Sequence, residues 1–177
     1  SLLVDDLLAQ GRQASLVAGH SLGEIVALYA AKVFDVETAL LLLKKRSELM
    51  SEAGGGAMTA IMGFDRVQLE KHVAASDGVV IANDNSSSQV VLSGLSESIK
   101  ELLSNVHCKR AIPLAVSGAF HSPWMADAAN EFSRELEKVN FRQAFIPVVS
   151  NSEPTPTCDA DILKAKLKDQ MTKGVRW

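Results

Sequence analysis

The chain has 177 residues, 47% of them hydrophobic and 22% charged, with 18 basic and 21 acidic side chains and a net charge of -3. That length supports one domain, or a domain carrying a small subdomain, and the composition is that of an ordinary soluble globular protein. The charges are well mixed, without the basic stripe a nucleic-acid or membrane surface needs, and no apolar run reaches the ~18 residues of a membrane span.

In chain order, residues 2–10 read as the end of a helix closed by Gly11. Residues 14–19, "ASLVAG", form a short apolar run ending in Gly and predict a buried strand. From Leu22 to Lys32 the spacing of Ile25, Val26, Leu28, Tyr29 and Val33 predicts a buried helix. Asp35 caps a second helix, which Gly54-Gly55-Gly56 ends. The next block alternates differently: "AMTAIMGF" predicts a strand, "DRVQLEKHVAAS" a helix, and "GVVIANDN" and "SQVVLSG" two strands joined by a polar turn. "SESIKELLSNV" predicts a helix started by a Ser cap, and "KRAIPLAVS" a last strand. The order βαββαβ is ferredoxin-like. The expected organisation is therefore α/β, an α/β-hydrolase-like core at 1–56 and 117–177 with a ferredoxin-like subdomain at 57–116 inserted. After the block, "PWMADAANEFSRELEKV" is an amphipathic helix, "AFIPVVSN" an apolar strand, and Asp159 opens a final helix.

Two cysteines, Cys108 and Cys158, are far apart and lack metal-site spacing. They read as reduced thiols, consistent with a cytoplasmic location, and no metal is expected. The chain begins Ser-Leu-Leu-Val and stops at Gly-Val-Arg-Trp, which reads as a piece of a longer protein.

The chemistry-bearing stretch is "AGHSLGEIVALYAA", residues 18–31. Ser-Leu-Gly-Glu can be a capping box, in which Ser21 and Glu24 each satisfy one free backbone N–H. Gly-His-Ser-Leu-Gly is also a nucleophile elbow, whose tight strand-to-helix turn leaves no room for bulk at Gly19 or Gly23. The flanking glycines and the strand–helix context favour the elbow, with the N–H of Leu22 as an oxyanion donor. A serine hydroxyl needs a base. Of four histidines, His20 points away across the elbow, His72 lies on a charge-rich helix and His107 at a helix end. His121, in "VSGAFHSPW" between a strand and a helix, is the candidate base. No acid is well placed to orient it, and a main-chain carbonyl would serve. Arg46 falls on the apolar stripe of its helix, with Leu42, Leu43, Leu49 and Met50. A buried guanidinium must be paired, and its planar fork suits a carboxylate. From spacing alone, snorkelling to solvent or an internal salt bridge stands equally open.

"GHSLGE", the Arg of "LLKKRSELM", "GGGAMTAIMG", "ANDNSSSQVVLSG", "GAFHSPWM", "IPVVSN" and "QMTKGVRW" occur in this order. Together they resemble the malonyl-CoA:acyl carrier protein transacylases of fatty-acid synthesis and the acyltransferase domains of polyketide synthases, from about residue 14 to the end. The resemblance implies ping-pong transfer of malonyl from coenzyme A, through a Ser21 ester, to the phosphopantetheine thiol of acyl carrier protein. It implies no bound cofactor, and the chain is expected to be monomeric and free-standing. By the same resemblance His121 is the base, Arg46 holds the malonyl carboxylate, Leu22 gives one oxyanion N–H and the Gln170 carbonyl steadies His121. Phe120 crowds the space of an α-methyl group, and Met50 and His20 line the same pocket. Asn83 and Asn85 are candidate coenzyme A contacts, or simply a strand end and turn. The family's opening strand and Gln-containing loop, source of a second oxyanion donor, and its C-terminal tail are not in this sequence. Gly174 stands where the family often has Pro. An acidic carrier would be met by basic residues, for which Lys44, Lys45, Lys109 and Arg110 are candidates. Two other readings stand beside this one. An esterase or thioesterase would have no need of Arg46, and a non-catalytic carrier-docking module would not need the Ser–His–Arg set.

Overall fold

The computed structural model describes residues 2–177. Helix α1 (Leu2–Ala9) leads to a two-residue strand β1 (Val17–Ala18), shorter than the apolar run predicts. The reason is its partner: among the described residues β1 pairs only with β6 (Val148–Val149), in parallel, Val17 opposite Val148 and Ala18 opposite Val149. Helix α2 (Gly23–Ala30) follows at once and buries Ile25 and Leu28 completely. Asp35 caps α3 (Val36–Glu52) by accepting the Thr38 N–H at 2.8 Å, the usual answer to an unpaired first-turn donor. One face of α3 buries Ala39, Leu42, Arg46, Leu49 and Met50. Helix α6 (Ala126–Glu137), entered through a 3-10 turn at Pro123–Met125, packs Phe132 and Leu136 into the same core, as α7 (Ala160–Asp169) packs Leu163 and Leu167. Burying each such side chain is worth roughly 1.5–3 kcal/mol. Lys166 is buried on α7, and its ammonium donates to the carbonyls of Glu153 and Thr155 at 3.1 and 3.0 Å. That pins the Pro-broken loop before the helix.

Residues 57–113 contain β2 (Ala57–Phe64), α4 (Arg66–Ala74), β3 (Val79–Ser86), β4 (Gln89–Gly94), α5 (Ser96–Asn105) and β5 (Cys108–Pro113). The sheet order is β5-β2-β4-β3, antiparallel throughout, which is the ferredoxin-like arrangement. Period-two alternation divides its faces. Ile61, Val90 and Leu92 pack with Leu69, Ile99 and Leu102 under α4 and α5, while Met58, Ala60 and Val91 pack with Phe120 on the other face.

Four local expectations differ. Helix α5 has Leu95 at its cap position and no side-chain cap; Ser96 is its first helical residue. Strand β5 stops at Pro113, and the Leu114 N–H makes a last bond to the Met58 carbonyl before 115–117 leave the sheet. Strand β6 is two residues of the longer apolar run. A seventh strand, β7 (Val175–Arg176), pairs in parallel with β3, Asn83 opposite Val175 and Asp84 opposite Arg176. Residues that a boundary at 117 assigns to the core thus extend the small sheet.

Candidate active site

The turn between β1 and α2 carries the central serine. Ser21 has φ of 52°, left-handed for a residue with a side chain, and such strain collects at functional positions. The turn is closed so tightly that a Cβ on Gly19 would stand 1.9 Å from the Gly23 carbonyl oxygen. Gly23 itself differs from expectation, because a Cβ there would meet nothing within 4 Å. The close approach is made by the backbone of Gly23 against Gly19, so only Gly19 is sterically required.

The capping-box alternative is overturned. The residue at the cap position of α2 is Leu22, without a side-chain cap. Glu24 accepts nothing from Ser21; the Ser21 N–H donates to Asn151 Oδ1 at 2.6 Å. Asn151 Nδ2 donates in turn to the Gly19 carbonyl at 2.7 Å, so one side chain at the end of β6 clamps both sides of the turn.

The Ser21 hydroxyl is thereby free for other partners. Its Oγ lies 2.7 Å from His121 Nε2 and accepts from Arg46 Nη2 at 3.0 Å. His121 is 4% exposed, also left-handed at φ of 55°, with Nδ1 2.9 Å from the Gln170 carbonyl. A carbonyl only accepts, so Nδ1 carries the proton and Nε2 is left as the acceptor facing Ser21. Burial pushes the His121 pKa down to about 4, with the Gln170 carbonyl opposing and the Arg46 charge adding to the fall. The imidazole is neutral, as a proton acceptor must be. Three residues earlier in the chain, a Cβ on Gly118 would lie 2.5 Å from the Phe120 ring.

Arg46 is 3% exposed and does not snorkel. Its Nε donates to Gln170 Oε1 at 2.8 Å. Burial lowers its pKa to about 10, opposed by the charge of Glu24, so it stays ionised at neutral pH. Among the described residues Nη1 has no hydrogen-bond partner, although it belongs to a fork built for two parallel bonds. The Leu22 N–H likewise donates to none of them. Ser21, Leu22, Arg46, Met50 and Phe120 line one open cleft of about 640 Å³, together with Ser47, Ser51 and residues 115–117.

His20, Asn83 and Asn85 are not among the residues that line it. They meet on the other side of the turn, where His20 Nε2 lies 3.1 Å from Asn85 Oδ1 and 3.5 Å from Asn83 Nδ2. The His20 ring stands edge-on to Trp177 at 5.3 Å. This cluster joins the turn to β3 and β7. Asn151 is not among the candidates the sequence offers, and Glu24 is there only as half of a capping box. Their signals were an amide at the end of an apolar strand and an acid in a first helical turn, both of which have ordinary structural explanations.

A strained serine at a strand–helix turn and a buried cation line one cleft, and a buried neutral imidazole lies against the serine hydroxyl, an arrangement that can form an acyl ester on the serine of an α/β frame. The chain belongs to the acyl transferase domain family, which it matches over residues 2–173. It is 50% identical over its full length to the malonyl CoA-acyl carrier protein transacylase of Synechocystis sp., spanning 60% of that protein. The crystal structure of the Synechocystis transacylase superposes with a TM-score of 0.97 over 99% of this chain and 60% of the other. The Bacillus velezensis polyketide biosynthesis malonyl CoA-acyl carrier protein transacylase BaeC is 42% identical over 91% of this chain and 57% of its own. A malonyl-transacylase solved in complex with a type II PKS acyl-carrier protein, 36% identical, superposes with a TM-score of 0.91 over 99% of this chain and 60% of the other. The chain thus spans about three-fifths of the length of these relatives.

Proposed function

We propose that the protein moves a malonyl group from coenzyme A to the thiol of an acyl carrier protein, through an ester on Ser21. The observation that carries this reading is the ionised Arg46 beside the Ser21 hydroxyl, with part of its fork unengaged. A hydrolase acting on neutral acyl groups gives no reason to bury that charge next to the nucleophile. The relatives' names point the same way.

In the first half, the Ser21 Oγ attacks the thioester carbonyl and its proton passes to His121 Nε2. The C–S bond breaks, and the departing coenzyme A sulfur takes that proton. In the second half, the carrier thiol gives its proton to His121 and attacks the Ser21 ester. The C–O bond breaks, and Ser21 recovers the proton. The Leu22 N–H receives the oxyanion of each tetrahedral intermediate, and Arg46 holds the distal carboxylate in two parallel bonds. Met50 and Phe120 bound the acyl space. The Gln170 carbonyl keeps His121 in the accepting tautomer. The exchange balances in protons and bonds without a cofactor.

A two-step exchange makes a distinctive prediction. With no carrier present, labelled free coenzyme A should be incorporated into the malonyl-CoA pool, because the first half-reaction is reversible by itself. Absence of exchange, with transfer to carrier intact, would contradict the Ser21 ester.

A further inference from the structure

Glu24 has no step in the proposed chemistry, yet the bonds around Ser21 converge on it. It stands on the first turn of α2 and is 1% exposed. Its Oε2 accepts from Gln170 Nε2 at 2.7 Å and from the Asn151 N–H at 3.2 Å. Its Oε1 and the Ser150 Oγ are buried without hydrogen-bond partners among the described residues. Burying a carboxylate is unfavourable, and an exposed one would serve the start of a helix equally well. The burial therefore calls for a reason at the site.

The reason lies in the polarity of the Gln170 amide. Its NH₂ end is held by two acceptors, Glu24 Oε2 and the Ser21 carbonyl, the latter at 3.0 Å. Its oxygen end consequently faces Arg46 Nε at 2.8 Å. A reversed amide would set donors against the guanidinium. Arg46 is thus anchored by its Nε edge, and its Nη2 reaches the Ser21 Oγ. A carboxylate touching Arg46 directly would have filled the fork. Glu24, one side chain removed, leaves it open.

We propose that Glu24 is a positioning residue for selection of a charged acyl group: through the Gln170 amide it holds the Arg46 guanidinium with its Nη edge over the nucleophile. The substrate half of this inference rests on the malonyl-transfer reading, and the geometric half does not. Burial holds the Glu24 carboxyl above its ordinary range, with the bonds from Gln170 and the Asn151 N–H and the charge of Arg46 opposing. An acceptor oxygen persists in either protonation state, so reach rather than charge carries the role. His121 takes the Gln170 backbone carbonyl, not its side chain, so the base is not held through the Gln170 amide.

Two variants separate reach from charge. Glu24→Asp keeps the charge but withdraws the carboxylate by one methylene, and Glu24→Gln keeps an acceptor at full reach. Loading of Ser21 is followed by intact mass with malonyl-CoA and with acetyl-CoA. Glu24→Asp should lower the malonyl-to-acetyl ratio of loading rates about tenfold, leaving acetyl loading within about threefold, while Glu24→Gln retains most of the ratio. A second readout needs no turnover: hydrogen exchange at the Arg46 Nε–H, assigned by its loss in Arg46→Lys. That exchange should accelerate about tenfold in Glu24→Asp and little in Glu24→Gln. The reverse order of the two variants, or equal loss with both acyl groups, overturns the proposal. Failure of the unmutated protein to load malonyl would count against the transfer reading alone, and the Arg46 exchange would still decide the role of Glu24.

Discussion

Ser21, His121 and Arg46 are each held in a state that water would not give them. The left-handed serine belongs to the tight turn, while an imidazole with its pKa near 4 and a guanidinium lowered to about 10 trace to burial beside it. The transfer reading makes the neutral His121 essential, so activity should persist through pH 5 and fall with an apparent pKa well below the ordinary histidine value. A loading-rate profile between pH 3.5 and 8 checks this, and a midpoint near 6.5 would contradict it. Linkage gives stability the same direction. The folded pKa of His121 is below its unfolded one, so the unfolded chain binds the extra proton between about pH 6.5 and 4. That contribution to stability is present above pH 6.5 and is eroded as pH falls through the window, which denaturant titrations at several pH values would show. At Arg46 the prediction concerns selectivity. Arg46→Ala should lower malonyl loading about 10- to 100-fold, the worth of a charged hydrogen-bonded pair, while acetyl loading changes little.

At the scale of elements, the β1–α2 turn depends on one steric fact. A Cβ on Gly19 would meet the Gly23 carbonyl at 1.9 Å, so Gly19→Ala should cost about 3 kcal/mol or more and displace the serine. Gly23→Ala has open space and should cost far less, about 1 kcal/mol or below. Urea unfolding of both variants measures the difference. This contrast also shows what was legible in the sequence. The flanking glycines announced the turn, but both looked equally necessary, because the direction of a Cβ is not written in a motif. Strand β2 and helix α3 were readable in type and near-complete extent, since alternation and an Asp cap are local signals. Strand β7 was not, because two residues pairing with β3 carry no periodicity. The Arg46 position on an apolar stripe was visible, whereas its partner Gln170 lies 124 residues away. The parts Glu24 and Asn151 play in the site were not legible, because their bonds link segments more than 120 residues apart.

Across the whole molecule, Phe120 stands where two cores meet. It packs against the larger cluster and against the inner face of the small sheet, and it also bounds the cleft. On the proposed function, acyl size is read at the junction of the two layers. Phe120→Ala should raise loading of methylmalonyl relative to malonyl about tenfold, within the 1–3 kcal/mol that one methyl is worth, as competition between the two thioesters would measure. On the proposed function, α2, the end of β6 and the end of α7 serve one event: acylation of Ser21. The most direct measurement is the intact mass of this chain after incubation with malonyl-CoA, with Ser21→Ala alongside. The account predicts a malonyl-sized increment that discharges on adding carrier protein and is absent from Ser21→Ala. No increment on the unmutated chain, or one that survives in Ser21→Ala, would contradict it.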